Sequence, residues 1–138
     1  MKAVSTEAGT IAAAAMDQRG SLKKALGAAT EGGATDAMME EFKAIVTEVL
    51  TPHASAILLD PQWGIEPSRK RSSNAGLLLA YEESGYDNTR PGRLPDLLPH
   101  WSVQRLKIVG ADCIKVLIYC TPYDVTAVNE EKYAFIER

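Results

Sequence analysis

The sequence predicts an α/β fold built on a parallel sheet. Four short, continuously apolar runs alternate with longer segments whose apolar residues recur at helical spacing. Continuous rather than alternating apolar runs are typical of strands that are buried on both faces. At 138 residues, 46% of them hydrophobic, the chain is long enough for one domain with an apolar core.

The first predicted strand is Thr10–Met16, and Asp17 closes it. Ser21 is expected to cap a short helix that begins at Leu22. A second helix is predicted from Asp36 to Leu50, before Thr51-Pro52. Its apolar residues lie at helical spacing and predict the buried face of this helix: Met39, Phe42, Ile45, Val46 and Val49.

The second strand is predicted at Ser55–Leu59, followed by Asp60-Pro61. A polar stretch from Gln62 to Asn74 leads to the third strand, Gly76–Tyr81. A loop rich in Gly, Pro and Arg follows at Gly85–Pro95, and a helix containing Leu98, Trp101, Leu106 and Val109 is expected to end at Gly110.

The fourth strand is predicted at Cys113–Cys120, and Asn129–Arg138 has helical character. Four βα units form either a small doubly wound sheet or the amino-terminal half of an eight-stranded (β/α)8 TIM barrel. No change in composition marks a second domain, so residues 1–138 are expected to form a single partial domain containing strands one to four.

The formal net charge of −3 does not favour nucleic acid or an anionic membrane as partner. The basic cluster Arg69-Lys70-Arg71 is interpreted as a solvated loop, with a phosphate-steering patch as the alternative. No segment approaches the length of about 20 apolar residues that spans a bilayer. Cys113 and Cys120 have no metal or redox spacing, so we expect reduced thiols and a cytoplasmic protein.

Three polar residues stand where parallel strands present ligand-binding side chains, at their carboxyl ends. Asp17 follows strand one, Asp60 follows strand two, and Lys115 interrupts strand four. Glu82, just after strand three, is a weaker fourth candidate. Each aspartate could instead be a structural cap, because Asp commonly closes strands and begins helices.

Lys115 is the most informative of these residues, because an ammonium within an apolar strand is costly to bury unless an anion pairs with it. Burial also lowers the pKa of a lysine and prepares it for nucleophilic or acid–base chemistry. Two structural alternatives are a buried ion pair with Asp17 or Asp60, and an edge-strand lysine that extends into water. His53 and His100 lack partners at ligand spacing, so neither a metal nor a cofactor is expected.

Five segments follow one another with consistent spacing over nearly the whole chain: Ala15–Leu22 with its Asp17-Gln18-Arg19 motif, Leu50–Pro61, Ala75–Glu82, Leu94–Asp96 and Gly110–Lys115. Together they resemble the tagatose 1,6-bisphosphate aldolases, and the related sulfofructosephosphate aldolases share segments like the first two. Each motif is modest alone, but the ordered set is specific.

This resemblance implies a class I, metal-independent lyase on a (β/α)8 barrel. Such enzymes form a Schiff base with the ketose carbonyl and cleave tagatose 1,6-bisphosphate to dihydroxyacetone phosphate and glyceraldehyde 3-phosphate. Asp17 and Gln18 would line the site, with Asp17 catalytic. Lys115, also expected to be catalytic, would be the strand-four lysine that assists by contacting a substrate oxygen or phosphate. Arg19 and Asp60 are expected to complete the substrate-binding set.

The resemblance also implies that the imine-forming lysine lies on strand six, which this chain does not reach. Because an open half-barrel leaves unpaired edges and apolar surface, the chain is expected to self-associate or to pair with a complementary barrel half. Two alternatives remain: a non-catalytic half-barrel remnant that binds sugar phosphates or acts as an interaction module, and a doubly wound binding domain.

Overall fold

The four strands pair in parallel, each with the next one in the sequence. A computed structural model describes residues 2–85, 89 and 92–137. Its strands are β1 Ala13–Met16, β2 Ala56–Leu59, β3 Gly76–Ala80 and β4 Cys113–Lys115, in the sheet order β1-β2-β3-β4. This order confirms the parallel α/β prediction and agrees with half of a (β/α)8 barrel. A doubly wound sheet would reverse its strand order, so that alternative was wrong.

Helices α1 to α4 lie between consecutive strands and α5 follows β4, as expected for βα units. They are α1 Gly20–Ala28, α2 Asp36–Leu50, α3 Ile65–Ser68, α4 Val103–Ile108 and α5 Thr126–Ile136, with 3-10 turns at Lys2–Val4 and Thr51–His53. The sequence did not predict α3, because four residues are too few to show a helical period. Part of the predicted loop 85–95, namely residues 86–88, 90 and 91, lies outside the described residues, as does Arg138.

The predicted cap at Ser21 was wrong. Helix α1 begins at Gly20, so that Ser21 lies within its first turn, and Arg19 occupies the N-cap position without a side-chain cap hydrogen bond. The carbonyl of Arg19 accepts a hydrogen bond from the amide of Lys23 at 2.9 Å. The guanidinium of Arg19 is instead bonded to the backbone after β3, which fixes the start of this helix against the sheet.

The fourth strand is shorter than predicted, ending at Lys115 rather than at Cys120. The reason is the length of its neighbour: Ala80, the last residue of β3, pairs with Lys115. Residues 116–120 therefore continue past the end of β3, and the described sheet places no strand on the other side of β4. Apolar character alone cannot make a strand where no partner backbone lies alongside.

The core lies on the two central strands. Its buried cluster comprises Ile57, Leu59, Leu77, Leu79 and Leu106, the last of these from α4. Strands β2 and β3 are almost fully buried, as their continuous apolar runs predicted, whereas every residue of β1 and β4 is partly or fully exposed.

The buried face of α2 differs from the predicted one. Met39, Lys43 and Thr47 form the buried column of this helix, whereas Ile45 and Val49 are exposed. The hydroxyl of Thr47 donates to the carbonyl of Lys43 at 2.7 Å, so its polar group is satisfied within the helix. Polar residues can occupy this buried face because their polar groups have partners within the fold.

Three smaller expectations concern the surface. Arg69 and Lys70 are exposed, as expected for a solvated loop, but Arg71 is half-buried and donates to the carbonyls of Ser68 and Ala75. The cysteines of the chain are both free thiols. None of the helices in the described part of the chain combines the length and the apolar character needed to cross a membrane.

Candidate functional site

The carboxyl ends of the parallel strands bring three of the predicted polar residues together. Pairing of Ala80 with Lys115 places Lys115 at the last step of the β3–β4 ladder, beside the backbone that leads to Glu82. Asp17 directly follows Met16, which ends the β1–β2 ladder. The residues that follow aligned parallel strands share one rim of the sheet, which explains why positions so distant in sequence meet.

Lys115 lies between two carboxylates. Its Nζ is 3.2 Å from Oδ2 of Asp17 and makes a close contact with Oε1 of Glu82. The Lys115 side chain remains 28% exposed, so it is accessible from the rim. The predicted group of a cation and two acids is therefore present, but its second acid is Glu82, the weaker sequence candidate, rather than Asp60.

The pKa of Lys115 is raised above its ordinary value of 10.5. Burial acts to lower this pKa, but hydrogen bonds and charge attraction from Glu82 and Asp17 together outweigh it. The sequence-based expectation of a lowered pKa for Lys115 was wrong in its net direction, because attraction to the two carboxylates outweighs the effect of burial. At neutral pH Lys115 is an ammonium ion and not a free amine nucleophile.

Arg19 closes one side of this group. Its Nη2 donates to the backbone carbonyl of Glu82 at 2.6 Å. Two buried atoms here, Nε of Arg19 and Oε2 of Glu82, have no hydrogen-bond partner within the described part of the chain. Buried polar atoms normally have hydrogen-bond partners. Two unsatisfied atoms on two residues that contact each other therefore indicate a place where a bound molecule or water completes the hydrogen bonding.

A cavity of about 350 Å³ opens beside these residues. Its lining includes Asp17, Gln18, Arg19, Glu82 and Lys115, together with the first residues of α1. Gln18 is exposed, so its side-chain amide is available from solvent. Because Glu83 also lines the cavity, it combines an ammonium, a guanidinium, three carboxylates and an amide, a set suited to a small polar anion that also carries hydroxyl groups.

Asp60 is not part of this group. Its carboxylate is fully buried, with Oδ2 2.6 Å from Nζ of Lys43 and Oδ1 accepting the amides of Gln62 and Trp63 at 3.0 Å each. With its side chain at 0% exposure, Asp60 caps the turn after β2. We therefore leave it out of the site that we propose to contact substrate.

Lys43 is the residue that the sequence analysis missed. It lies between the apolar residues that predict the buried face of α2, so the apolar pattern does not include it. Its Nζ donates to the carbonyls of Met16 at 2.6 Å and Gln18 at 2.8 Å, in addition to its contact with Asp60. The available signal was its spacing of four residues from Met39 and from Thr47, which places all three on one helix face.

The residues described include no group of three His, Cys, Asp or Glu side chains arranged to hold a metal ion. His53 and His100 are both exposed, and the site is formed by carboxylates, an amide and cationic nitrogens. The donor set at the rim therefore suits an anionic organic ligand better than a transition metal.

Residues 11–138 match the family described as "DeoC/LacD family aldolase". The chain belongs to this family. It is similar to tagatose 1,6-diphosphate aldolase 2 of Enterococcus faecalis (strain ATCC 700802 / V583), with 54% identity over 138 residues that cover 100% of this chain and 41% of that protein. Tagatose 1,6-diphosphate aldolase 1 of Streptococcus pyogenes serotype M1 is 52% identical over 133 residues, which cover 94% of this chain and 40% of that protein.

The chain is also similar to tagatose 1,6-diphosphate aldolase 1 of Streptococcus mutans serotype c (strain ATCC 700610 / UA159), with 50% identity over 141 aligned positions that cover 100% of this chain and 42% of that protein. The chain thus spans about two fifths of the length of these curated relatives. These matches agree with the resemblance that the sequence motifs indicated.

Proposed function

We propose that this chain supplies the amino-terminal substrate-binding rim of a class I tagatose 1,6-bisphosphate aldolase. The observation that supports this proposal is the placement of the Lys115 ammonium between Asp17 and Glu82, beside a cavity that Gln18 and Arg19 also line. The names of the relatives, tagatose 1,6-diphosphate aldolases, give the substrate class.

The reaction breaks one carbon–carbon bond of the ketohexose bisphosphate and releases dihydroxyacetone phosphate and glyceraldehyde 3-phosphate. In the class I mechanism a lysine elsewhere in the complete barrel holds the ketose as a Schiff base. The residues of this chain would bind and orient the substrate. Lys115 would pair with a phosphate or carbonyl oxygen, because it is a cation at neutral pH.

The other rim residues have complementary roles in this proposal. Asp17 accepts hydrogen bonds from a sugar hydroxyl and directs the Lys115 ammonium, while the amide of Gln18 contacts hydroxyl or phosphate oxygens. Arg19 has a buried Nε without a partner in the described residues, which would bond to a phosphate oxygen. The two free cysteines support a cytoplasmic location for the enzyme.

The test uses two measurements on the 138-residue chain. Titration calorimetry with tagatose 1,6-bisphosphate should show binding that Lys115→Met weakens at least tenfold, the loss of about 1.4 kcal/mol expected when a charge-assisted contact is removed. Lys107→Met is the matched control, because Lys107 is an exposed lysine on α4 and its loss should leave binding unchanged. Equal binding by the parent and Lys115→Met would contradict the proposal.

Borohydride trapping separates the two possible roles of Lys115. The chain is incubated with dihydroxyacetone phosphate, reduced with borohydride and mapped by peptide mass spectrometry. We expect no adduct at Lys115, because the neighbouring carboxylates keep its amine protonated. An adduct at Lys115 would overturn its assignment as a charged binding group. Absence of both binding and adduct would leave the non-catalytic half-barrel as the better interpretation.

We also propose that a complementary barrel half covers the surface next to β4. An apolar cavity of about 880 Å³ lies there, and its lining includes Ile114, Val116, Ile118, Phe135 and Ile136. The relatives extend well beyond the matched segment, and β4 is an outer strand of the described sheet. Pairing with a fifth strand would satisfy the backbone of β4 and remove this apolar surface from water.

To test this pairing, the chain is mixed with the part of the Enterococcus faecalis relative that lies beyond the matched segment. Light scattering should show a one-to-one complex, the binding of an apolar fluorescent dye should fall, and aldolase activity should appear. Self-association of the chain alone that persists after mixing, or a dye-silent monomer at micromolar concentration, would contradict the proposed partner.

A further inference from the structure

The ammonium of Lys43 joins the ends of two strands. It is completely buried, as is its partner Asp60. Its three close oxygen neighbours are the carbonyls of Met16 and Gln18, at 2.6 and 2.8 Å, and the Asp60 carboxylate at 2.6 Å. The ammonium donates hydrogen bonds to the two carbonyls, and the Asp60 carboxylate balances its charge at ion-pair distance.

The two carbonyls belong to the residues on either side of Asp17. Strand β1 ends at Met16, so the backbone around Asp17 has no strand pairing to hold it. The hydrogen bonds from Lys43 hold the backbone on both sides of Asp17 in place of strand pairing. Asp60 in turn is fixed by the amides of Gln62 and Trp63, so the backbone of Asp17 is tied to a rigid turn after β2.

Stability alone is a poor reason to place an ion pair here. Removing two charges from water is expensive, and a well-packed apolar pair of similar volume is often as stable or more stable. What an apolar pair cannot do is donate charge-assisted hydrogen bonds to two specific carbonyls. The geometry therefore favours a role in fixing the position of the Asp17 backbone.

We propose that Lys43 is a positioning residue that holds the carboxylate of Asp17 against Lys115. The inference rests on the proposed function only in taking Asp17 and Lys115 as the site residues. Lys43 is not among the residues that line the cavity, so it does not contact substrate; it acts through the backbone of residues 16–18. Asp60, which the sequence analysis placed among the substrate-binding residues, is the anchor of this arrangement.

The test uses the pKa of Lys115, which requires no substrate. Lysine labelled with ¹³C at Cε is followed by NMR as pH is raised, and Lys115→Arg assigns the signal. Asp17 and Glu82 are the charged groups facing Lys115, and Asp17→Asn should lower its pKa, since the Asp17 carboxylate helps to raise it. The decrease in the pKa of Lys115 that Asp17→Asn causes is the reference against which the decreases in the other variants are compared.

The decisive variant is Lys43→Met combined with Asp60→Asn. It removes both charges of the pair, so the net charge near Lys115 is unchanged, while asparagine keeps an oxygen for the amides of Gln62 and Trp63. We expect the pKa of Lys115 to fall by at least half of the decrease caused by Asp17→Asn. Adding Asp17→Asn to the double variant should then produce little further decrease, because both changes remove the same contact.

Leu106→Ala is the matched control, because it opens the core under α4 and destabilises the fold without touching the rim. Leu106→Ala should leave the pKa of Lys115 at the parent value even when it lowers Tm as much as the double variant does. If Lys43 only stabilised the fold, equally destabilised variants should change the pKa of Lys115 alike. An unchanged pKa in the folded double variant, or full additivity with Asp17→Asn, would overturn the proposal.

A measurement on the parent protein covers the case in which the double variant does not fold. The ammonium hydrogens of Lys43 should give a slowly exchanging ¹⁵N–¹H signal at neutral pH, since the group is buried, donates to two carbonyls and is paired with Asp60. Exchange as fast as that of an exposed lysine such as Lys107 would overturn the proposal. Loss of ligand binding with the Lys43 effect intact would instead count against the proposed function alone.

Discussion

The carboxylate of Glu82 contacts the ammonium of Lys115 across the end of the β3–β4 ladder. Glu82 stands two residues beyond Ala80, the strand partner of Lys115, and only 4% of it is exposed. A nearly buried acid beside a partly buried cation is a pair in which each group makes the burial of the other less costly. This contact gives the rim its defined charge arrangement.

Glu82→Gln should lower the free energy of unfolding by about 1 kcal/mol, the usual net effect of losing one polar contact. The loss is modest because Lys115 keeps Asp17 as a partner, remains 28% exposed and can still bond to the glutamine oxygen. Urea unfolding followed by circular dichroism measures the change. Glu83→Gln is the control: it changes the net charge equally at an exposed neighbour and should leave the free energy of unfolding unchanged.

The stability difference between the parent and Glu82→Gln should shrink as pH rises through the alkaline range. Because the pKa of Lys115 is raised on folding, its contribution is fully present below its ordinary value of 10.5 and is lost as pH rises through the folded value. Urea unfolding between neutral pH and the alkaline limit of folding measures this. A difference that grew with alkaline pH would contradict the assignment.

Gly76→Ala should destabilise the chain by about 1–3 kcal/mol, the cost of overpacking a filled site. A Cβ at Gly76 would lie 2.3 Å from the carbonyl oxygen of Ala3 and 2.7 Å from Cγ1 of Val4. The buried Val4 therefore could not keep its place against the start of β3. Thermal unfolding measures the effect.

Gly20→Ala provides the comparison for this prediction. A Cβ there would meet no atom within 4 Å, and Gly20 is the first residue of α1. Its replacement should be neutral or stabilising by a few tenths of a kcal/mol, since alanine loses less backbone freedom on folding. If Gly76→Ala and Gly20→Ala destabilised the chain equally, the close approach of Ala3 and Val4 to Gly76 could not be the cause.

The sequence predicted the parts of the fold that follow from local pattern. Four apolar runs separated by helical segments were sufficient for a parallel sheet, and the Asp17–Lys115 contact followed from strand ends sharing one rim. Lengths that depend on a neighbour were not predictable: β4 ends where β3 ends, although its apolar run continues.

The partners of charged residues were also beyond the sequence. Asp60 and Glu82 both follow predicted strands, and nothing in their spacing states which one pairs with Lys115. The structure assigns Asp60 to Lys43, a lysine that an apolarity pattern places on the wrong face of α2. Ion pairs between distant segments depend on tertiary distances of a few ångströms, which a one-dimensional pattern does not contain.

The parallel arrangement separates two tasks along the length of each strand. The tight packing of Val4 against Gly76 lies where the strands begin, whereas Asp17, Glu82 and Lys115 gather where they end. A change of ligand preference at one extremity therefore need not disturb the packing at the other. Such a molecule can acquire a new specificity by altering a few rim residues while its scaffold continues to fold as before.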